Sequence, residues 1–315
     1  KHPDRLQLVG ISAHSNAEKL AQIATEFNVP HAYLPEAAGK AENFPSATKL
    51  DRSTNGLLSL ASLDNADLVV IAVVGASGLS PTLAALQAGK NIVLANKESL
   101  VLGGDLVMQT AKENQVKVLP ADSEHNAIFQ CIQGENQRDI DSIILTASGG
   151  PFRELPIKEL QHVTIEQALD HPNWSMGNKV TIDSATMANK GLELIEARWL
   201  FDLPPSKLEV VIHPTSIVHS MVRFIDGCCL AQLSPPSMTF ALQHALLYPQ
   251  RAEGVHTSLD FSKPLDLQFI PPSIDRFPCP RLAKESLEQG GSAPLVFNAA
   301  NEIAVEAFLL NRIGF

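Results

Sequence analysis

What this chain has little of narrows its possible roles before any motif is read. Its balance of 24 Lys+Arg against 34 Asp+Glu gives a net charge of 24 − 34 = −10. That argues against general nucleic-acid binding, which needs a basic footprint, but leaves room for an anionic small substrate met by a few local cations. Its four cysteines, Cys131, Cys228, Cys229 and Cys279, form no CxxC pair and suggest no disulfide framework, which favours a reducing compartment. No apolar run reaches the roughly 18 residues of a membrane span. The chain opens on Lys1-His2-Pro3 with no Met. It is therefore expected to be a piece of a longer one, so that a plastid-targeting segment stays open beside a cytoplasmic, bacterial location. What is present is 315 residues at 45% hydrophobic composition, enough for a large core and two domains.

Residues 1 to about 122 alternate strand and helix patterns. LQLVGIS (6–12) reads as a strand, and NAEKLAQIATEFN (16–28) as an amphipathic helix with Leu20, Ile23, Ala24 and Phe27 on one side. ADLVVIAVVG (66–75) reads as a continuous apolar strand of the kind buried in parallel sheets. Helix 80–89, strand 91–96, helix 100–114 and strand 116–121 follow. The alternation implies a doubly wound, Rossmann-like α/β domain over 1–122, whose ligands sit beyond the carboxyl ends of its strands. Asn96-Lys97-Glu98 and Asp122-Ser123-Glu124 lie at two such ends.

From 123 to 249 the pattern is that of an α+β domain. It reads as strand SIILTA (142–147), a flexible loop over about 148–178, and a helix at 184–201. KLEVVIHP (207–214), IVHSMVRFI and CCLAQLS then read as antiparallel strands, with a tight turn at Asp226-Gly227. The Pro-rich stretch 250–280 suits a linker, and 281–315 reads as the start of a helical domain.

The chemistry-bearing residues gather near the strand ends. In PADSEHNAIF (120–129), Asp122 and Ser123 suit a helix cap. Equally, Asp122 and Glu124, two apart on one side of an extended segment, suit a hard cation. TASGGPF (146–152) is a plain turn or a cradle whose N–H groups and Ser148 hydroxyl face an anion. HPNWSMG (171–177) places His171 and Trp174, one of only two tryptophans, in a polar loop that anchors to the core or closes as a lid.

In DSATMANKGLELIEARWLF (183–201), Asp183 or Ser184 suits a cap, while Asn189, Lys190 and Glu193 share one helical face. The ordinary fate of such spacing is an exposed Lys–Glu pair. Gly191, however, costs about 1 kcal/mol relative to Ala in mid-helix, which implies a close backbone approach or a packing need. Three carboxylates with no sulfur or nitrogen donor suit Mg²⁺ or Mn²⁺ over zinc. Lysines with Ser, Asn and glycine N–H groups suit a phosphate monoester. A metal, a phosphorylated polyol or ketose, and a dinucleotide together fit a redox step at a carbonyl.

ANKESLV (95–101), PADSEHNAIFQ (120–130), ASGGPFRE (147–154), HPNWSMGNKVTIDSATMANKGLELIEA (171–197) and NAANEIAVEAFL (298–309) resemble the 1-deoxy-D-xylulose 5-phosphate reductoisomerases. These are the NADPH- and divalent-metal-dependent enzymes of the non-mevalonate isoprenoid pathway. The resemblance implies Mg²⁺ or Mn²⁺ held by Asp122, Glu124 and Glu193. Lys97, Ser123 and Glu124 would lie near the substrate's carbon skeleton, and Ser148, Ser184, Asn189 and Lys190 at its phosphate. His171 would orient the substrate, Trp174 would sit on a flap over it, and Asn96, Glu98 and Gly177 would touch NADPH. The implied reaction rearranges 1-deoxy-D-xylulose 5-phosphate, by retro-aldol/aldol cleavage or a ketol shift, and then reduces it to 2-C-methyl-D-erythritol 4-phosphate. A homodimer through the strands around 207–233 is implied as well.

The chain also departs from the family. The Gly-rich turn after the family's first strand has no counterpart here, because the chain starts just before what corresponds to the second strand. The family also continues past Phe315. The NADPH domain and the C-terminal helical domain are therefore expected to be incomplete, with weak NADPH binding and reduced stability. The strand ending in Ser12-Ala13-His14-Ser15-Asn16 carries no Asp or Glu for a free ribose hydroxyl, which favours NADP over NAD. Ser15 stands where some family members have Lys, leaving His14 or Lys19 to meet the 2′-phosphate. The rival readings are another metal-dependent enzyme on sugar phosphates, such as an aldolase or phosphatase, and a catalytically inactive fragment that binds metal and phosphate.

Overall fold

A computed structural model describes residues 2–174 and 176–315. The chain falls into two compact units, Lys1–Asn96 with Leu106–Leu119, and Lys97–Asp105 with Pro120–Phe315. The segment 97–105 leaves the first unit because Val101 is buried against Leu192 and Ile195 of the second.

The first unit alternates short strands and helices in the Rossmann-like manner. In order they are β1 (Gly10–Ser12), α1 (Ala17–Glu26), β2 (His31–Tyr33), β3 (Lys49–Asp51), α2 (Gly56–Ala61), β4 (Leu68–Ile71), α3 (Leu79–Gln87) and β5 (Asn91–Leu94). The later part of α4 (Glu98–Glu113) and most of β6 (Val118–Pro120) complete it. One sheet runs β1-β2-β3 with parallel pairing; a second runs β4-β5-β6, with β4 and β5 parallel. Strands 6–12 and 66–75 are shorter than their apolar runs, because among the described residues only 10–12 and 68–71 form ladders. Helix α1 buries Leu20, Ala21 and Ala24, and leaves Phe27 beyond its end at 52% exposure, so the expected apolar face is one residue narrower. Helix α4 is broken at Gly103 (φ −148°, ψ 37°), just before the division between the units at 105/106.

The second unit is built on a four-stranded sheet in the order β10-β9-β7-β8, from β7 (Ile140–Ala147), β8 (Leu208–Ile212), β9 (Val218–Phe224) and β10 (Cys229–Leu233). β9 pairs antiparallel with β7 and β10, through a turn in which Gly227 takes φ +87°. β8 corrects the expected antiparallel set: it pairs parallel with β7 on the far edge. Against this sheet lie α5 (Ser123–Cys131) and a helix that begins later than its sequence pattern. The expected helix 184–201 is two helices, α7 (Asn178–Ala185) and α8 (Ala188–Phe201), following α6 (Ile165–Leu169). They are separated at Met187, which is left-handed at φ 58°. Leu194, Ala197 and Phe201 of α8 and Ile128 of α5 bury into one core with Ile143 and Leu145 of β7 and Val222 of β9. That shared core puts the polar faces of α5 and α8 beside each other.

Beyond α9 (Met238–Leu247), residues 250–278 hold no helix and only an isolated bridge between Ile212 and Ile270. The stretch is nevertheless pinned: Arg276 donates to the Phe152 and Leu155 carbonyls, and Phe277 is buried. α10 (Cys279–Gln289) and α11 (Ala293–Leu309) follow. Their contact explains Gly191: a Cβ there would meet Phe297 at 3.0 Å and the Cys279 carbonyl at 3.1 Å. The close approach is helix packing.

Candidate active site

Asp122 occupies the N-cap position of α5, yet its side chain makes no capping hydrogen bond. Its carboxylate instead accepts from Lys97 Nζ at 2.8 Å. The convergence of Asp122 and Glu124 also differs from the extended-strand expectation: Asp122 is extended (φ −61°, ψ 137°), and Glu124 lies in the first helical turn. Ser123 donates to Glu124 Oε2 at 2.6 Å, and Lys190 Nζ donates to Glu124 Oε1 at 2.9 Å.

From α8, Lys190 also pairs with Glu193, Asn189 Nδ2 donates to Glu193 Oε1, and Asn189 Oδ1 accepts from Lys97 at 2.9 Å. Lys190 is 4% and Glu193 0% exposed, so this is no solvated surface pair. Oxygens of Asp122, Glu124 and Glu193 lie within 4.8 Å of one another. Three hard carboxylate donors at that spacing fit Mg²⁺ or Mn²⁺.

The electrostatics point the same way. Burial, reinforced by Glu124, pushes the Glu193 carboxyl up to about 8, against the pull of Lys190. Burial opposes the charge on Asp122, but Lys97, by charge and by hydrogen bond, leads the neighbours that together outweigh it and hold that carboxyl below its usual range. Lys97 and Lys190 feel the same burial and are nonetheless raised, by Asp122 with Glu193 and by Glu124 with Glu193 respectively. Three crowded carboxylates facing two lysines make a place where a divalent cation relieves repulsion.

Ser148 follows β7 in a turn with Gly149 (φ +81°) and Gly150 (φ +65°). A Cβ at Gly150 would strike the Ser184 carbonyl and Ala185 Cα at 2.9 Å, so the glycine lets the turn lie against the end of α7, where Ser184 sits. His171 Nδ1 accepts from the backbone N–H groups of Asn173 and Trp174, so in the neutral ring Nε2 carries the proton toward Ser148 Oγ at 3.0 Å. Burial lowers the pKa of His171 and favours that neutral ring. Trp174 meets His219 edge-on, ring centroids 6.5 Å apart. The expected flap over 148–178 contains Ser175, which lies outside the described residues, and the short helix α6. Asp183 and Ser184 lie inside α7 and do not cap it; Asp183 bonds Lys179 and Asn301. Gly177 takes the N-cap position of α7, and the buried Glu98 lies 3.9 Å from Lys179 Nζ.

The remaining residues expected at the cofactor belong to the first unit. His14, Ser15 and Asn16 are exposed between β1 and α1, and Asn16 caps α1 by accepting from the Lys19 N–H at 2.9 Å. Asn96 is 2% exposed, its amide engaged by the Val73 and Gly75 carbonyls.

Sequence reasoning passed over three buried groups. His219 (4% exposed) bonds Ser234 at 2.8 Å, and its pKa is lowered by burial although Glu124 pulls it up. Its strand setting resembles any core histidine. His125 and Glu196 lie behind the triad, and the signal for Glu196 was its i+3 spacing from Glu193.

The family description for the 1-deoxy-D-xylulose 5-phosphate reductoisomerases matches residues 1–104, and those for their C-terminal domains match 118–201 and 233–315. Similar curated proteins include the 1-deoxy-D-xylulose 5-phosphate reductoisomerase of Chlorobium chlorochromatii. It is 50% identical over 320 residues, covering 100% of this chain and 84% of that protein. That of Chlorobaculum tepidum is 49% identical over 319 residues, with the same coverage. A crystal structure of DOX-P reductoisomerase with NADPH, fosmidomycin and magnesium superposes with a TM-score of 0.92 at 45% identity, covering 99% of this chain and 80% of that one. The Zymomonas mobilis enzyme with NADPH gives 0.90 at 43%, covering 99% and 82%.

Proposed function

The chain belongs to the 1-deoxy-D-xylulose 5-phosphate reductoisomerase family, and from that membership we propose how its residues divide the work. The protein is an NADPH- and divalent-metal-dependent reductoisomerase that converts 1-deoxy-D-xylulose 5-phosphate to 2-C-methyl-D-erythritol 4-phosphate, a step of non-mevalonate isoprenoid biosynthesis. The observation that carries the reading is the Asp122, Glu124 and Glu193 triad beside Lys97 and Lys190. When bound, the cation supplies Lewis-acid and templating chemistry at the substrate oxygens, and NADPH supplies the hydride.

The triad carboxylates would hold the cation. Lys97, already bonded to Asp122 and Asn189, and Ser123 position the carbon skeleton. Ser148, Ser184, Asn189 and Lys190 bind the phosphate, with Gly149 and Gly150 opening the turn beside it. His171 directs its Nε2–H at Ser148 and so orients the hydroxyl toward the substrate. Trp174 shields the site from water. Within the first unit Asn96, His14, Ser15 and Asn16, and within the second Glu98 and Gly177, are read as NADPH contacts; no carboxylate occurs from Ser12 to Ala17, which suits a 2′-phosphorylated ribose.

Among the described residues no helix is long and apolar enough to cross a membrane. A cytoplasmic setting and a homodimer are further readings. Support for the dimer comes from the outer strand β10, where Leu230 is 45% exposed, and from Ile225 in the adjoining turn at 67%. Sedimentation would show twice the chain mass; a monomer at micromolar concentration would contradict it.

The function is tested by NADPH oxidation started with 1-deoxy-D-xylulose 5-phosphate and Mg²⁺. Turnover abolished by EDTA and restored by Mg²⁺ is expected; turnover indifferent to chelation would refute the metal's role.

A further inference from the structure

Next to the triad residue Asp122, two buried polar atoms face each other 3.8 Å apart. His125 is 0% and Glu196 3% exposed, and among the described residues His125 Nδ1 and Glu196 Oε2 have no hydrogen-bond partner. The opposite ring nitrogen, Nε2, lies 2.9 Å from the backbone carbonyl of Glu193. A carbonyl only accepts, so Nε2 carries the proton, and in the neutral ring Nδ1 is a bare lone pair. That lone pair confronts a Glu196 carboxyl oxygen 3.8 Å away in a dry interior, where two facing acceptors are relieved by a proton or a cation between them. The gap is too long for a direct hydrogen bond. With metal–ligand bonds of about 2.0–2.2 Å it corresponds to an angle of about 130° at a shared ion, open but within reach of a four- or five-coordinate site. A third donor is at hand: an Asp122 oxygen lies within 4.8 Å of both.

We propose that His125, Glu196 and Asp122 form a second divalent-cation site, sharing Asp122 with the triad and selecting a first-row transition metal such as Mn²⁺ over Mg²⁺. Selectivity follows from the imidazole, a donor the all-oxygen triad lacks. A cation here competes with Lys97 for Asp122, whose Oδ2 the lysine holds at 2.8 Å, so this site fills after the triad and more weakly. Its existence does not depend on the reaction assigned above, although both sites draw on Asp122.

The test is Mn²⁺ titration of the tag-free chain, followed by electron paramagnetic resonance with a pulsed measurement of nitrogen coupling. Two ions per chain are expected, the weaker one showing nitrogen coupling from a directly bound imidazole. Mg²⁺ alone should saturate at one. Glu196→Gln should abolish the nitrogen-coupled ion and leave the other, and Glu196→Asp, which retracts the carboxylate, should weaken it. One ion with oxygen ligands only would overturn the second site and leave the triad standing. No bound ion would overturn both. A nitrogen-coupled ion undiminished in the two variants would also contradict the proposal. Should neither variant fold, the presence or absence of nitrogen coupling in the unaltered chain decides the matter.

Discussion

The two units treat their polar residues in opposite ways. In the second, Glu193 and Lys190 are almost wholly withdrawn from water and tied to one another, to Glu124 and, through Asn189, to Lys97. In the first, His14 and Ser15 stand exposed, Asn16 is occupied capping a helix, and Asn96 holds a loop. A site for a small cation and a phosphate needs charge concentrated in low dielectric, on helices whose packing fixes it. A dinucleotide is gripped over a longer surface, largely by backbone, so its side chains retain scaffold duties.

The sharpest break of that contrast is Glu193→Gln. Removing one triad carboxylate should lower kcat/KM by at least about a hundredfold. The same change removes a carboxyl that burial, and then Glu124, disfavour as a charge, so in EDTA the variant should melt no lower than the parent. Steady-state kinetics and calorimetry check the two halves, and a lower melting temperature in EDTA would show that the carboxylate is structural. Next in size is Leu194→Ala, in the core beneath the triad. It should cost about 3–5 kcal/mol in denaturant unfolding, through lost burial and the cavity left behind.

In the first unit, Asn16→Ala should cost about 1 kcal/mol by uncapping α1, while Asn16→Ser restores it. A rise in KM for NADPH that Ser does not rescue would show Asn16 touching the cofactor directly.

The smallest effect concerns pH. His244 is pushed down to about 4 by burial and by Arg251. Above an unfolded value of about 6.5 it is neutral in both states and leaves stability unchanged. As pH falls from 6.5 toward 4, the unfolded chain takes up a proton that the folded chain refuses, so stability declines through that window. His244→Phe should flatten the decline in a melting series; an unchanged slope would place its origin elsewhere.

Much of the second unit's site was legible, because its parts follow helical or strand spacing. Asn189, Lys190 and Glu193 share a face by i, i+3 and i, i+4 geometry, and Asp122-x-Glu124 stood out against the apolar run before it. What local spacing cannot express was lost. Met187 takes a left-handed conformation with no glycine to announce it, so one expected helix became two. β8 joined the sheet in parallel because its partner β7 lies more than 60 residues away in sequence, beyond any turn signal. Gly191 read as a close backbone approach or a packing need, and only the packed helices decide it, with Phe297 and Cys279 against the glycine. His125, Glu196 and His219 face inward among apolar neighbours, where sequence pattern does not separate a functional group from a satisfied core residue.

On this reading α5 and α8 together make a divalent-cation site. Calorimetric titration of Mg²⁺ into the chain, with and without Glu193→Gln, tests it most directly. One bound Mg²⁺ per chain, lost in the variant, is the predicted result; Mg²⁺ binding that survives Glu193→Gln unchanged would contradict it.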